Sequence, residues 1–138
     1  MSKTILVVDD EMDVLDLVSQ TLEPLGHDVL QAVDADIAKT ILLKQEIDLL
    51  ISDIKMPGKD GLALVEETRK VIKYRNLPVI LFTGFHTKEN VEQAVQLEVD
   101  GFLAKPFKSD QLRNLVAKLL EKGHKKRVDK SRAWEDKF

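Results

Sequence analysis

Side chains that can carry chemistry follow several short apolar runs in this sequence. Together they offer three carboxylates, one hydroxyl and one ammonium, carried by Asp9, Asp10, Asp53, Thr83 and Lys105. Each run is about four residues long and bounded by turn residues, a pattern typical of strands that are buried on both faces. Ligands bind beyond the carboxyl ends of the strands in open α/β sheets. The pattern therefore predicts that these five side chains meet at one edge of a sheet.

Three carboxylates at such an edge would repel one another. Their pKa values would rise unless a cation joined them. Oxygen ligands suit Mg²⁺, which commonly keeps several waters in its octahedral shell. With the charge offset by a metal, one carboxylate could act as a nucleophile toward a phosphoryl group and form an aspartyl-phosphate. A nearby ammonium and hydroxyl would then stabilise the phosphoryl oxygens, because phosphoryl transfer depends mainly on positioning and charge.

Each of these residues also has an ordinary explanation when it is considered alone. A pair such as Asp9 and Asp10 commonly marks the start of a helix, and Asp53 precedes a Pro/Gly loop, where aspartate is often only a turn residue. Thr83 is a common kind of residue for the end of a strand, and a lysine such as Lys105 is usually solvated. The chemical interpretation depends on the combination, with every polar residue at the same end of its predicted strand.

Five apolar runs with strand character alternate with five stretches of helical periodicity. The predicted strands cover residues 5–8, 27–32, 47–52, 79–82 and 102–104. The predicted helices run to Leu25 before Gly26, from a cap at Asp34 through Leu42, over residues 62–73 and 88–97, and from Ser109 to Gly123. Such alternation is typical of a parallel sheet with right-handed crossovers and helices on both faces. We expect two helices on one face and three on the other.

The composition favours a single domain and excludes several classes of chemistry. The chain has 138 residues, no cysteine and a formal net charge of −3. Without cysteine there is no disulfide, thiolate metal site or cysteine nucleophile. The mild charge gives no reason to expect direct nucleic-acid binding, and no apolar run approaches the roughly 18 residues of a membrane span. The first strand begins at once, without a signal-peptide region, so we expect a cytoplasmic protein with no membrane insertion.

The order of these motifs strongly resembles the receiver domains of bacterial two-component response regulators. The chain reads Asp-Asp, then Asp followed by Met-Pro-Gly, then Thr, then Lys-Pro-Phe, and the resemblance covers residues 3–122. It implies a flavodoxin-like (CheY-like) three-layer α/β sandwich, with a five-stranded parallel sheet in the order 2-1-3-4-5 and five helices. We therefore expect a receiver domain at residues 1–122 and a basic, flexible C-terminal tail at residues 123–138.

The resemblance also assigns roles to individual residues at the predicted edge. It implies that Asp53 accepts a phosphoryl group from a histidine kinase or a phosphotransfer protein. The domain would be a signalling receiver, not an enzyme with a separate substrate, and would catalyse only its own phosphorylation and dephosphorylation. Mg²⁺ would be bound by the carboxylates of Asp9, Asp10 and Asp53 and by the main-chain carbonyl of Lys55.

A switch that responds to phosphorylation is a further implication of the resemblance. Thr83 and Lys105 would contact the phosphoryl group, Thr83 and Phe102 would move together, and the peptide bond from Lys105 to Pro106 would be cis. The face formed by the fourth helix, the fifth strand and the fifth helix would then bind an unidentified downstream protein or a second copy of the chain.

Two positions that flank the phosphoryl group in the resembled family are occupied here by Lys55 and Phe85. We expect these side chains to cover the approach of water to the phosphorus and so to prolong the phosphorylated state. Lys55 also lies two residues after the proposed nucleophile, where aspartyl-phosphate phosphohydrolases usually carry a second acid/base aspartate. Its presence argues against a phosphohydrolase.

Other interpretations remain open on the sequence alone. The chain could be the N-terminal receiver part of a longer response regulator. Its tail, which contains Trp134, could be a solvated end or a docking segment with an aromatic anchor. A pure interaction module that never takes phosphate would be expected to lack an aspartate or the lysine of the site, and none is missing.

Overall fold

The computed structural model describes residues 2–84 and 87–122, in which five strands alternate with five helices. The strands are β1 (Thr4–Val8), β2 (Asp28–Ala32), β3 (Leu49–Asp53), β4 (Val79–Thr83) and β5 (Gly101–Ala104). The helices are α1 (Met12–Leu22), α2 (Ala35–Lys44), α3 (Gly61–Arg69), α4 (Lys88–Gln96) and α5 (Ser109–Lys122). The strands pair in parallel in the order β2-β1-β3-β4-β5. The predicted fold and strand order are confirmed.

The central strands β1, β3 and β4 form the buried middle of the sheet. Every residue of β3 and β4 is buried, and β1 is buried from its second residue onward. Branched and aromatic side chains dominate these strands, as expected where helices cover both faces. The edge strands β2 and β5 are more exposed. The buried polar residues Ser52, Asp53 and Thr83 are therefore exceptions, and all three lie at the carboxyl ends of their strands.

Helices cover the two faces of the sheet in unequal numbers. α1 and α5 pack on one face through residues that include Leu15 and Val116. α2, α3 and α4 pack on the other face through residues that include Ala38, Val65 and Ala94. Neighbouring residues of β1 alternate between the two cores, as the period of two in a strand requires. The predicted division of two helices against three is confirmed.

The third helix is shorter than its sequence pattern predicts. The pattern predicts a helix to residue 73, but α3 ends at Arg69 and a single 3-10 turn follows at Ile72–Tyr74. The ring of Tyr74 is buried, and its hydroxyl lies 2.8 Å from the carbonyl of Leu42 and 2.7 Å from that of Gln45. Because these partners are distant in sequence, the local period does not reveal the break.

Two other boundaries differ from the prediction by two or three residues. A 3-10 turn at Glu23–Leu25 replaces the last predicted turn of α1, because Pro24 lacks the N–H that would continue the α-helical ladder. β3 begins at Leu49 rather than at residue 47. The N–H of Ile47 donates to the Tyr74 hydroxyl at 3.3 Å instead of to a neighbouring strand.

One smaller prediction is confirmed, and two others fall on residues that the structure does not describe. Asp34 caps α2 as predicted, since its carboxylate accepts a hydrogen bond from the N–H of Ile37 at 2.8 Å. Phe85 and the predicted tail at residues 123–138 lie outside the described residues. Within residues 2–84 and 87–122, no helix combines the length and the apolar character needed to cross a bilayer.

Candidate functional site

Four strands end at one edge of the sheet, and their register determines which residues meet there. Asp53 and Thr83 are the last residues of β3 and β4, and Lys105 directly follows β5. The register of β1 with β3 places Asp9 level with Asp53. The N–H of Lys105 donates to the Thr83 carbonyl at 2.8 Å, which ties the residue after β5 to the end of β4. The parallel topology thus gathers the residues that the sequence scatters.

The ammonium group of Lys105 lies among three carboxylates at this edge. Its Nζ atom is 2.7 Å from Oδ2 of Asp9, 3.0 Å from Oδ2 of Asp53 and 3.4 Å from Oε1 of Glu11. The Lys105 side chain is 16% exposed, and the Asp9 side chain is fully buried. Asp9 and Lys105 are 96 positions apart in the sequence. The fold therefore brings the ammonium of Lys105 into contact with carboxylates that lie far from it in the sequence.

Burial and ion pairing act in opposite directions on the charges at this edge. Burial raises the pKa of Asp9, and hydrogen bonds from the Lys105 ammonium and the Glu11 N–H offset only part of that rise. Burial alone would lower the pKa of Lys105, but its hydrogen bonds to Asp9 and Asp53 outweigh that effect and raise it. Lys105 therefore stays an ammonium at neutral pH, where it can pair with carboxylates or with an added anion.

The carboxylates at this edge also form a set that could hold a metal ion. Asp9, Asp10, Glu11 and Asp53 each offer one oxygen, and these oxygens all lie within 4.8 Å of one another. Asp9 and Asp53 are buried whereas Asp10 and Glu11 are exposed, so the cluster opens toward solvent. Hard oxygen ligands of this kind fit Mg²⁺. The role of the Lys55 main-chain carbonyl as a further ligand stays a prediction.

Glu11 is a member of this acidic cluster that sequence reasoning did not identify. It is the N-cap residue of α1, and its N–H donates to Oδ1 of Asp9 at 2.9 Å. This hydrogen bond holds Glu11 beside the buried aspartate, within reach of Lys105. The available signal was its position directly after Asp9 and Asp10. An acidic residue before a helix is, however, ordinarily explained by the helix dipole.

The two predicted switch residues lie on one face of the sheet. Thr83 is buried at the end of β4, and Leu81 two residues earlier pairs in register with Phe102. Since side chains alternate along a strand, Thr83 and Phe102 share the face covered by α2, α3 and α4. Phe102 is partly buried against that core. The peptide bond from Lys105 to Pro106 is cis. The coupled movement of Thr83 and Phe102 stays a prediction.

Comparisons with known proteins point to one family. Residues 5–117 match the family model described as the response regulator receiver domain. Chemotaxis protein CheY4 of Vibrio cholerae is 28% identical, with a TM-score of 0.82, over 86% of this chain and 99% of that chain. A CheY-like response regulator receiver domain protein from Methanospirillum hungatei is 30% identical, with a TM-score of 0.80, over 88% of this chain and 96% of that one. NtrX from Brucella abortus is 37% identical, with a TM-score of 0.80, over 88% of this chain and 28% of its own.

The family has general properties that the site of this chain can be set against. Receiver domains are signalling modules rather than classical enzymes, and they interact with histidine kinases or phosphotransfer proteins and with downstream targets. They generally bind Mg²⁺ at an acidic pocket, and the acidic cluster of this chain supplies a donor set of that kind. Because the family model spans most of the sequence and the fold agrees with it, this chain belongs to the receiver domain family of two-component response regulators.

Proposed function

We propose that the protein is a phosphorelay receiver in which Asp53 accepts a phosphoryl group from the phosphohistidine of a histidine kinase or a phosphotransfer protein. The observation that carries this proposal is the 3.0 Å contact between the Asp53 carboxylate and the Lys105 ammonium beside the acidic cluster. The Asp53 side chain keeps 9% of its surface exposed, whereas Asp9 keeps none. Asp53 is therefore the carboxylate of this pair that a donor can reach.

The proposed reaction is an in-line displacement at phosphorus. A carboxylate oxygen of Asp53 attacks the phosphorus, the new oxygen–phosphorus bond forms as the nitrogen–phosphorus bond of the donor breaks, and the imidazole leaves. Bound Mg²⁺ would offset the negative charge of the carboxylates and of the phosphoryl oxygens. The residues that would hold it are Asp9, Asp10, Asp53 and Lys55 through its main-chain carbonyl, with Glu11 beside them.

Lys105 can change its partner without leaving the site. Its ammonium has three donors, and it contacts Asp9, Glu11 and Asp53. A phosphoryl group on Asp53 would add strong acceptor oxygens beside these donors. Lys105 would then exchange a carboxylate contact for a contact with a phosphoryl oxygen. Because Lys105 directly follows β5, this exchange would act on β5 and on the segment after it.

Phosphorylation would be read out on the face formed by α4, β5 and α5. The Thr83 hydroxyl would turn toward the phosphoryl oxygens, and Phe102 would fill the space that Thr83 vacates on the same face of the sheet. The altered surface would bind a downstream protein or a second copy of the chain. Val95 of α4 is an apolar residue that is 70% exposed.

The same chemistry fits two arrangements of the whole protein. In the first, residues 1–122 form a receiver domain that acts in the cytoplasm together with the basic tail at residues 123–138. In the alternative, the chain is the receiver part of a longer regulator. The NtrX match, which covers 28% of that chain, supports the alternative because a domain of this kind lies there within a longer protein. Neither arrangement changes the role of Asp53.

Intact mass spectrometry tests the proposed function with a small phosphodonor. Incubation with Mg²⁺ and acetyl phosphate should add one phosphoryl group to the wild-type protein, and chelation of Mg²⁺ should prevent the addition. Asp53→Asn keeps the shape of the side chain but removes the nucleophilic carboxylate, so it should gain none. Rapid consumption of the donor without an adduct would instead indicate a phosphohydrolase. A folded protein that does not react would indicate a pure interaction module.

A further inference from the structure

Gly61, the first residue of α3, lies directly against the main-chain carbonyl of Asp53. A Cβ atom built at position 61 would lie 2.0 Å from the carbonyl oxygen of Asp53 and 2.9 Å from its carbonyl carbon. Ordinary van der Waals contacts of a Cβ atom are 3.4–4 Å. The glycines with positive φ in the described part of the chain are Gly26 and Gly58. The requirement at position 61 is therefore one of space rather than of conformation.

The hydroxyl of Ser52 holds the same carbonyl. Ser52 is fully buried in β3, and its Oγ donates to the Asp53 carbonyl oxygen at 2.9 Å. The Cβ atom built at position 61 would lie 3.0 Å from this Oγ. The hydroxyl, the carbonyl and the glycine thus form one contact, which we call the Asp53 carbonyl contact. A side chain at position 61 would disturb all of its members.

The main chain that follows Asp53 is fixed by two further hydrogen bonds. The N–H of Ile54 donates to the Phe82 carbonyl at 3.0 Å, and the N–H of Gly61 donates to the Ile54 carbonyl at 2.8 Å. The second bond closes the loop of residues 55–60 at its base. Since β3 pairs with β1 through Ser52 and with β4 through Asp53, the peptide groups on both sides of Asp53 are held in place. The orientation of these two peptide groups fixes the direction of the Asp53 Cα–Cβ bond.

We propose that Ser52 and Gly61 are positioning residues for the phosphoacceptor, an inference that rests on the proposed function of Asp53. Ser52 holds the Asp53 carbonyl by its hydrogen bond and Gly61 leaves the space that this carbonyl needs, so together they set the direction of the Asp53 side chain. That direction sets its 3.0 Å contact with Lys105 and its place in the acidic cluster. Group transfer is sensitive to such placement, because a displacement of about 1 Å can cost roughly 100-fold in rate. The position of the Asp53 carboxylate thus depends on the absence of a side chain at position 61.

Gly61→Ala tests this proposal, with Gly101→Ala as the matched control. A Cβ atom at position 101 would lie 2.7 Å from Cδ2 of Leu115, so this alanine also crowds the core, but at the amino end of β5 and away from the site. Urea unfolding would establish the stability of each variant, and NMR titration would give the Kd for Mg²⁺ without phosphate. We expect Gly61→Ala to raise that Kd and to slow phosphorylation by acetyl phosphate, each by about tenfold, and Gly101→Ala to stay within about twofold of wild type.

Ser52→Ala keeps the test decisive if Gly61→Ala does not fold, because it removes the hydroxyl without adding bulk. We expect it to slow phosphorylation and weaken Mg²⁺ binding, each by about threefold. An effect of Gly61→Ala alone would overturn the role of Ser52 and support that of the glycine. If both variants match Gly101→Ala, the positioning proposal is wrong although Asp53 still accepts phosphate. If the wild-type protein gains no phosphate, the proposed function fails, and the Mg²⁺ affinities still decide whether Asp53 is positioned in this way.

Discussion

Lys105 and Arg69 are two cations of similar burial that lie near opposite ends of the sheet and have different partners. Their side chains are 16% and 12% exposed. Lys105 contacts the carboxylates of the site, whereas Arg69 at the end of α3 lies 3.9 Å from the carboxylate of Asp100. Arg69 also donates hydrogen bonds to main-chain carbonyls, among them those of Tyr74, Leu77, Leu97 and Glu98.

The difference in partners distinguishes the two ends of the sheet. The groups around Lys105 can change their charge, whereas the groups around Arg69 include main-chain carbonyls that keep the backbone in place. The partners of Lys105 are ionisable side chains, which can bind a metal or yield to a phosphoryl group. Arg69 pairs with one carboxylate, that of Asp100, but it also donates to neutral carbonyls in the segments that follow α3 and α4. Those carbonyls cannot move without a movement of the backbone. The planar guanidinium suits that role, because its donors are fixed in a fork. The two cations therefore differ in their surroundings, since Lys105 lies among side-chain carboxylates and Arg69 lies among main-chain carbonyls beside one carboxylate.

Arg69→Met should produce the largest loss of stability among the changes considered. It leaves partly buried carbonyls without donors, and we expect the free energy of unfolding to fall by about 3 kcal/mol. Arg69→Lys keeps the charge but cannot reach several carbonyls at once, so it should recover less than half of the loss. Urea unfolding measures both variants. A loss below about 0.5 kcal/mol for Arg69→Met, typical of an ordinary surface position, would show that this cation does not hold the main chain.

Lys105→Met should cost less stability, and Mg²⁺ should restore most of it. Without the ammonium, Asp9 and Asp53 lose their shared cation, and we expect a loss of about 2 kcal/mol in a chelator, moderated by the partial exposure of the lysine. Millimolar Mg²⁺ would supply positive charge to the same oxygens and bind the folded state. Urea unfolding with and without Mg²⁺ measures the recovery. An equal response of Arg69→Met and Lys105→Met to Mg²⁺ would remove the distinction between the two cations.

Thr83→Ala should leave phosphorylation nearly intact but weaken the switch. Thr83 is not proposed as a metal ligand or nucleophile, so the rate of phosphorylation should stay within about threefold of wild type. The chemical-shift changes on α4, β5 and α5 that follow phosphorylation should fall by more than half. Thr40→Ala, at an exposed position of α2, is the control and should behave as wild type. Shift changes of wild-type size in Thr83→Ala would contradict the proposed coupling.

The smallest expected effect is on the lifetime of the phosphorylated state. Lys55→Ala/Phe85→Ala should speed the loss of phosphate by about threefold, or about 0.65 kcal/mol in the barrier, because both side chains would cover the approach of water. Lys59→Ala is the control, since it removes a cation from the same loop. The Lys59 ammonium lies 2.8 Å from the carboxylate of Glu67. The measurement is the decay of phosphoprotein in Mg²⁺ after removal of the donor. A double variant that decays no faster than Lys59→Ala would disprove the covering role.

The residues of the site could be predicted because the sequence and the topology carry the same signal. Asp9, Asp53, Thr83 and Lys105 each follow an apolar run, and the parallel sheet brings the carboxyl ends of those runs to one edge. The alternation of strands and helices likewise predicted a parallel sheet with helices on both faces. The pattern did not reveal the position of the Lys105 ammonium, which lies between the carboxylates of Asp9 and Asp53.

Other features could not be predicted because their partners leave no mark in a single sequence. Arg69 donates hydrogen bonds to main-chain carbonyls, and because every residue carries a carbonyl, the sequence does not indicate these partners. The end of α3 depends on Tyr74, whose hydroxyl meets the chain at the end of α2. Glu11 joins the acidic cluster only because the N-cap geometry of α1 brings it beside Asp9. Gly61 matters through a contact that becomes visible only in three dimensions.

Chemical trapping of the phosphorylated residue tests whether Asp53 is the phosphoacceptor. Borohydride reduces an aspartyl-phosphate to homoserine, so reduction after treatment with Mg²⁺ and acetyl phosphate, followed by peptide mapping, identifies the acceptor by position. We expect homoserine at position 53 alone and none in a sample treated with a chelator. Homoserine at position 9 or 10 in place of 53, or a stable phosphate that borohydride does not reduce, would contradict the assignment of Asp53 as the phosphoacceptor.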